Sequence, residues 1–401
     1  MTAQLVGYTN IDGRGQEGME LAYNHWLTGH DGKQLVVQDL RGNVVSVLDD
    51  MEPQQSGHTL TLSIDRKIQF LAYQALKEAV THYQAKSGSA VVLDIETGEI
   101  LAMVNQPSFN PNDRGAYHEG YRNRSVTDTF EPGSTMKAFS IMSALDSQQY
   151  TPNTLIDTAP GWWRVGKNWV RDELNYKTLT VTGVLQKSSN VGVAKMTLSL
   201  PGDQFWGMLQ RVGFGQPTSS GFPGEQGGYL IHQSPWNPFA LATLAFGYGI
   251  SVTTLQLAQA YAVIANHGVK VPVTLLKGGN HSNEQPEQVI DKDVADQMLT
   301  MLEAVIGGDE GTGGQARVQG YRVAGKTGTA RMAGPGGYYK HRYRGSFVGI
   351  APVSHPRLVV AVVVMDPQGS AYYGGLIAAP AFSKIMGGAL QMLNIPPDRV
   401  S

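Results

Sequence analysis

The spacing of apolar positions changes from segment to segment along this chain, and each spacing predicts an element. Residues 59–63 alternate like a strand. From Ile68 onward apolar side chains return every three or four positions, and Asp65 is placed to cap a helix over 66–82. Residues 88–94 and 99–104 read as two strands joined by Glu96-Thr97-Gly98, a hairpin. A helix is expected to open at Pro132-Gly133-Ser134 and run through 145. Further helical spacing covers 181–200, 203–212, 253–266 and 291–305. Three strands are predicted over 321–330, 346–351 and 358–365, then a closing helix over 379–393. Two strands, a helical middle, three strands and a helix imply one antiparallel sheet with a split helical subdomain.

The first sixty residues lack such periodicity and are punctuated by glycine. Residues 35–37 and 44–48 are expected to form a small ribbon around Gly42-Asn43 that packs on the next domain. The Pro53–Gly57 stretch marks a boundary, dividing the chain into 1–57 and 58–401. Residues 307–314 read as a mobile surface loop.

Composition removes several function classes. With 31 basic and 33 acidic residues among 401, the net charge is −2, so no basic face for nucleic acid is expected. The absence of cysteine excludes thiol catalysis, disulfides and thiolate metal sites, and the ten histidines show no metal-ligand spacing. No apolar run reaches the roughly 18 residues of a membrane span. The longest, Leu358 to Met365, is strand-sized. Met1 opens no signal peptide, so an export or anchoring segment is expected upstream of this chain.

Three short motifs carry the chemistry: Ser134-Thr135-Met136-Lys137, Ser188-Ser189-Asn190 and Lys326-Thr327-Gly328-Thr329. Ser134 and Lys137, three apart at a helix start, share one face. Lys137 can take the serine proton only when neutral, so its pKa has to fall from about 10.4. Burial and a nearby cation both push it down, and Lys326 is the candidate cation. Ser188 is placed to relay the proton to a leaving amine, and Asn190 to hold a substrate amide. On the third motif, period-two alternation puts Lys326 and Gly328 on one strand face, Thr327 and Thr329 on the other. A peptide carboxylate is expected along that strand edge, held by the hydroxyls and attracted by Lys326, with Gly328 allowing close approach of backbone. The N–H groups of Ser134 and Thr329 would form an oxyanion hole. Catalysis thus falls to Ser134, Lys137, Ser188, Asn190 and Lys326, and substrate binding to Ser189, Thr327, Gly328 and Thr329.

With these motifs the chain resembles the class B penicillin-binding proteins, the monofunctional peptidoglycan transpeptidases. It is most similar to the septal, penicillin-binding protein 3 type of Gram-negative cell division. The likeness includes Arg122-Asn123-Arg124, Asp128 and Phe130-Glu131-Pro132-Gly133 before the serine, and Lys187 to Gly192 around the second motif. Tyr372-Tyr373-Gly374-Gly375, Ala379-Pro380 and Pro396-Pro397-Asp398 extend it to the C-terminal end, and Gly7 to Gly18 to the N-terminal end. The resemblance implies an α+β transpeptidase fold related to serine β-lactamases, a five-stranded antiparallel sheet with helices on both faces plus a helical subdomain. Residues 1–57 would be the remnant of an N-terminal pedestal. It further implies D-Ala-D-Ala stem peptides as donor, an amine acceptor, β-lactams as inhibitors and no cofactor. A periplasmic location is implied, with an N-terminal membrane helix absent from this chain, a membrane-embedded glycan polymerase and division proteins as partners. Ala138 departs from the proline common after the motif lysine.

Rival readings remain within the same motifs. Gly320, Gly325, Lys326 and Thr327 satisfy a phosphate-loop pattern and 362–366 imitates its acidic companion strand, but the segment reads as strand where a helix N-terminus is needed. A β-lactamase would need a deacylating carboxylate, and Glu173 lies upstream of Ser188, the wrong order for that family. An inactive or sensory penicillin-binding scaffold and a D,D-carboxypeptidase share the motifs. Trp162, Trp163 and Trp169 are expected to pack on a hairpin. Tyr338, Tyr339 and Tyr343 are expected at a hairpin tip, and Tyr372-Tyr373 either at the cleft or in the core.

Overall fold

The computed structural model describes residues 1–113, 120–278, 285–307, 311–369 and 371–399. Its centre is one five-stranded sheet built from β1 (Ser87–Asp94), β2 (Ile100–Gln106), β3 (Ala324–Gly334), β4 (Gly337–Ala351) and β5 (Leu358–Met365). The spatial order is β3-β4-β5-β1-β2, every neighbour antiparallel. The unbroken apolar run of β5 is explained by its place: it lies between β4 and β1 with helices over both faces, so no side chain needs to face water.

Helix α1 (Arg66–His82) and the last helix, Ala379–Met392, cover one face of the sheet. The Asp65 side chain accepts from the N–H groups of Lys67 and Ile68, as its spacing predicts, and Ile68, Ala72, Ala75, Leu76 and Ala79 form the buried stripe. The opposite face is covered by Thr254–Ala265 and Lys292–Gly307. Beyond them lie α2 (Lys137–Asp146), α3 (Val181–Gln186) and α4 (Asn190–Leu198), the helical subdomain.

Phe139 of α2 meets Phe214 and Tyr261 edge-on, with ring centroids 5.2 and 5.4 Å apart. Tyr261 is fully buried, and its hydroxyl donates to the Thr135 carbonyl at 2.8 Å. Core packing thus fixes the turn that carries Ser134.

Several expected elements differ in extent. The helix expected over 181–200 is two helices, because Ser188 takes a left-handed φ of 57° and Ser189 caps the second. Residues 59–63 form only an isolated bridge, Leu62 to Leu276. Strand β3 starts at Ala324, not 321, since the Tyr321 hydroxyl donates to the Ile395 carbonyl and the Arg322 N–H to Asp398. Strand β4 begins nine residues early, at Gly337, because β3 and β4 continue as a hairpin past the sheet.

Near the N-terminus, Lys33–Gln38 pairs with Val44–Glu52 as expected, but this ribbon stays largely exposed and does not pack on the next domain. The residues that join the core there are Leu5 and Met19, helped by Gln4, whose amide donates to the carbonyls of Pro107 and Gly120. Among the described residues no helix is long and apolar enough to cross a membrane.

Candidate active site

The three motifs meet at a cavity of about 1000 Å3 between the β3 edge of the sheet and the helical subdomain. Ser134 lies in a 3-10 turn, Gly133–Met136, that leads straight into α2 and so aims Lys137 from the next turn. The turn packs hard on β3. Gly133 has a φ of +57°, and a Cβ there would stand 2.9 Å from the Thr329 carbonyl oxygen. From the other side, a Cβ on Gly328 would be 2.3 Å from Ser346 Oγ and 2.9 Å from the Pro132 oxygen. Gly328 is therefore required for docking the nucleophile's turn. Its neighbours Thr327 and Thr329, on the other strand face, are the residues of this motif that line the cavity.

Lys137 is fully buried and donates to Ser188 Oγ at 3.0 Å and to the Ser188 carbonyl. Burial lowers its pKa from 10.5 to about 7, while the carboxylates of Asp172 and Glu173 pull it back up. Lys326 is also fully buried and donates to Thr327 O and Oγ1 at 3.1 and 3.2 Å. Its pKa falls well below the usual lysine value, through burial first and then repulsion by Lys137.

Burial, ahead of any neighbouring charge, is the first cause of both shifts. Lys137 depresses Lys326, and burial of Lys137 itself makes it a base near neutrality. Lys326 sits under the strand, outside the cavity lining, with its amine held by Thr327.

Thr327 and Thr329 do line the cavity, on the strand face opposite Lys326. Thr327 Oγ1 lies 3.1 Å from Thr312 Oγ1, and Thr329 Oγ1 accepts from the Gly374 N–H at 3.0 Å. Ser134, Ser188 and Asn190 line it from the helical side. Asn190 donates one amide N–H to the Arg171 carbonyl at 2.9 Å, leaving a second donor and its carbonyl oxygen.

Ser189 is the exception. It is fully buried, donates to Asp172 Oδ2 at 2.6 Å and accepts from the Gly192 N–H, so its hydroxyl caps α4 and is withheld from a substrate. Asp172 also accepts from the N–H groups of Asn190 and Val191 at 2.6 and 3.0 Å, tying the second motif in place. No local pattern in the sequence links Asp172 to residues seventeen or more positions away.

The walls are aromatic. Tyr343 stacks on Tyr372 at 4.1 Å, and Tyr372 on Tyr373 at 4.5 Å, so the tyrosine pair left open between cleft and core lines the cleft. Tyr338 at the hairpin donates to Glu131 at 2.8 Å and meets Tyr248 edge-on. Trp162 and Trp169 pack on each other across their hairpin, outside the cavity lining.

Thr312 and Gly314 face the site, so the described end of the 307–314 segment belongs to the cleft; residues 308–310 of that expected loop lie outside the described residues. Glu173 lines the same cavity as Ser134 despite its order along the chain. Lys326 lies in mid-strand, which removes the phosphate-loop reading. Among the described residues no group of acidic or histidine side chains is arranged to hold a metal ion.

Comparison with known proteins agrees with this geometry. Residues 88–387 match the penicillin binding protein transpeptidase domain, and residues 2–62 the penicillin-binding protein dimerisation domain. The chain belongs to the class B penicillin-binding transpeptidases.

The probable peptidoglycan D,D-transpeptidase PbpC of Pseudomonas aeruginosa is 46% identical over 401 residues, covering 100% of this chain and 70% of that protein. The peptidoglycan D,D-transpeptidase FtsI of Escherichia coli is 42% identical over 406 residues, 100% of this chain and 67% of that protein. Among solved structures, the apo TP domain of Burkholderia pseudomallei penicillin-binding protein 3 superposes with a TM-score of 0.77. It shares 42% identity and covers 85% of this chain and 98% of that one. The class B transpeptidase is accordingly a serine-type peptidoglycan D,D-transpeptidase that cross-links cell wall.

Proposed function

We propose that this enzyme joins stem peptides through an acyl-enzyme on Ser134, in septal wall synthesis. Neutral Lys137 takes the Ser134 hydroxyl proton as Oγ attacks the D-Ala-D-Ala carbonyl, the oxyanion being held by the N–H groups of Ser134 and Thr329. Ser188, bonded to Lys137, returns the proton to the leaving D-alanine amine. Asn190 holds the donor's amide, and Thr327 and Thr329 hold its terminal carboxylate. Lys326 acts through Thr327, whose carbonyl and hydroxyl it orients, and Gly328 and Ser189 serve as positioning residues. β-Lactams would imitate the donor and acylate the same serine.

One observation carries the assignment: a fully buried Lys137, lowered to about 7, hydrogen-bonded to Ser188 beside a cavity-facing Ser134. Residues 1–57 are assigned to the pedestal remnant and 58–401 to catalysis. The likeness to FtsI supports a periplasmic, membrane-tethered protein working with division proteins and a membrane-embedded glycan polymerase.

The test is D-alanine release from a peptide ending in D-Ala-D-Ala, with and without an amine acceptor. Amide product formed at the expense of hydrolysis supports transpeptidation. Hydrolysis alone, indifferent to acceptor, would make the enzyme a carboxypeptidase.

A further inference from the structure

Cross-linking needs a second substrate, an amine, and nothing in the three motifs receives it. We propose that Glu173 is the acceptor site: its carboxylate binds the incoming ammonium group and takes its first proton. This rests on the acyl-enzyme reading given under Proposed function.

Glu173 follows the 168–171 strand of the tryptophan hairpin, directly after Asp172, which anchors the second motif. Its side chain is exposed in the cavity wall, with Ser134 in the same cavity. Lys187 and Arg331 are basic, and Glu173 is the one acidic residue lining the cavity among the described residues.

Its charge also acts on two groups of the site. It raises the pKa of Lys137 on one side. On the other it raises that of Tyr373, behind the larger effects of the Tyr372 hydroxyl and burial. A carboxylate exposed in the wall of the cavity that holds Ser134 is open to an amine approaching the acyl carbon. The donor's own carboxylate is assigned to Thr327 and Thr329, which line the cavity from the strand.

An acceptor amine arrives protonated near neutral pH and cannot attack in that form. A carboxylate supplies both attraction and a place for the first proton, which then passes to solvent. The amine lone pair forms the new C–N bond as the ester bond from Ser134 Oγ breaks. The second amine proton travels through Lys137 and Ser188 to Ser134 Oγ, regenerating the hydroxyl.

The experiment follows acyl transfer by the whole chain from a thioester analogue of the donor to two acceptors, a cationic primary amine and neutral hydroxylamine. The readout is the ratio of their kcat/KM values. Glu173→Gln is expected to lower the cationic-to-neutral ratio about fivefold, the scale of one partly screened ion pair. Glu173→Asp should restore much of it. In the unmodified enzyme, added salt should lower the same ratio.

A ratio unmoved by Glu173→Gln, or indifferent to salt in the unmodified enzyme, would overturn the assignment. Adduct formation between Ser134 and benzylpenicillin is measured in parallel. Its absence in the unmodified enzyme would sink the acyl-enzyme reading, and this inference with it; its presence with an unmoved ratio would sink this inference alone.

Discussion

The pH dependence of acylation tests the Lys137 assignment most sharply. An ordinary lysine amine of pKa 10.5 would be neutral in only about one molecule in 3,000 at pH 7, whereas one lowered to about 7 is neutral in about half. Burial therefore raises the reactive fraction about a thousandfold, at a cost of about 5 kcal/mol for protonating the amine in place. The rate of Ser134 acylation by a fluorescent penicillin should then climb about fivefold from pH 6 to pH 7, less than twofold from pH 7 to pH 8, and level off above.

Stopped-flow anisotropy gives that rate directly, under conditions where acylation is the only slow step. Glu173→Gln should move the midpoint to lower pH, since that carboxylate raises the lysine pKa. A rate that keeps rising tenfold per pH unit through pH 9 would mean an unperturbed base and refute the reasoning. So would a midpoint that rises in Glu173→Gln.

Lys137→Ala should slow acylation by about 10²- to 10⁴-fold, the usual contribution of a positioned base, as measured with the same penicillin. Gly328→Ala should lower the melting temperature and acylation together, because its Cβ would meet Ser346 Oγ at 2.3 Å and the Pro132 oxygen at 2.9 Å; overpacking of this kind costs about 1–3 kcal/mol by denaturant titration. Ser189→Ala should cost about 1 kcal/mol of stability through the lost cap of α4. It should weaken acylation chiefly by loosening the Asp172 anchor, so its loss should be smaller than that of Ser188→Ala. Lys137 also links stability to pH. Its folded pKa lies below the unfolded value, so its contribution is fully present above 10.5 and is lost as pH falls through about 7. Lys137→Met should flatten the rise in stability across that window, seen as converging unfolding midpoints at high pH.

The sheet was legible because its strands are short apolar runs between turns, and β5 matches its expected bounds residue for residue. Helix α1 was equally legible, since Asp65 and the stripe from Ile68 are local signals. What escaped notice was set by tertiary contacts. The break at Ser188 needs a left-handed residue that helical spacing does not reveal. The ribbon near the N-terminus carries apolar residues that promise burial, yet among the described residues it stays largely exposed.

In the site, residue types within each motif were readable, but their surroundings were not. Whether Lys326 is exposed or buried, and whether Ser189 faces substrate or Asp172, depends on segments far away in the chain. The same holds for Glu173, whose place in the cavity of Ser134 does not follow from its order along the chain.

The most direct measurement is the mass of the intact protein after incubation with benzylpenicillin, followed for hours, with peptide mapping of the adduct. The account predicts one stable adduct per chain, on Ser134, absent from Ser134→Ala while that variant keeps its fold. An adduct elsewhere, or none, would contradict the serine acyl-enzyme at the centre of the account. A transient adduct with continuing drug hydrolysis would contradict its assignment as a transpeptidase trapped by β-lactams.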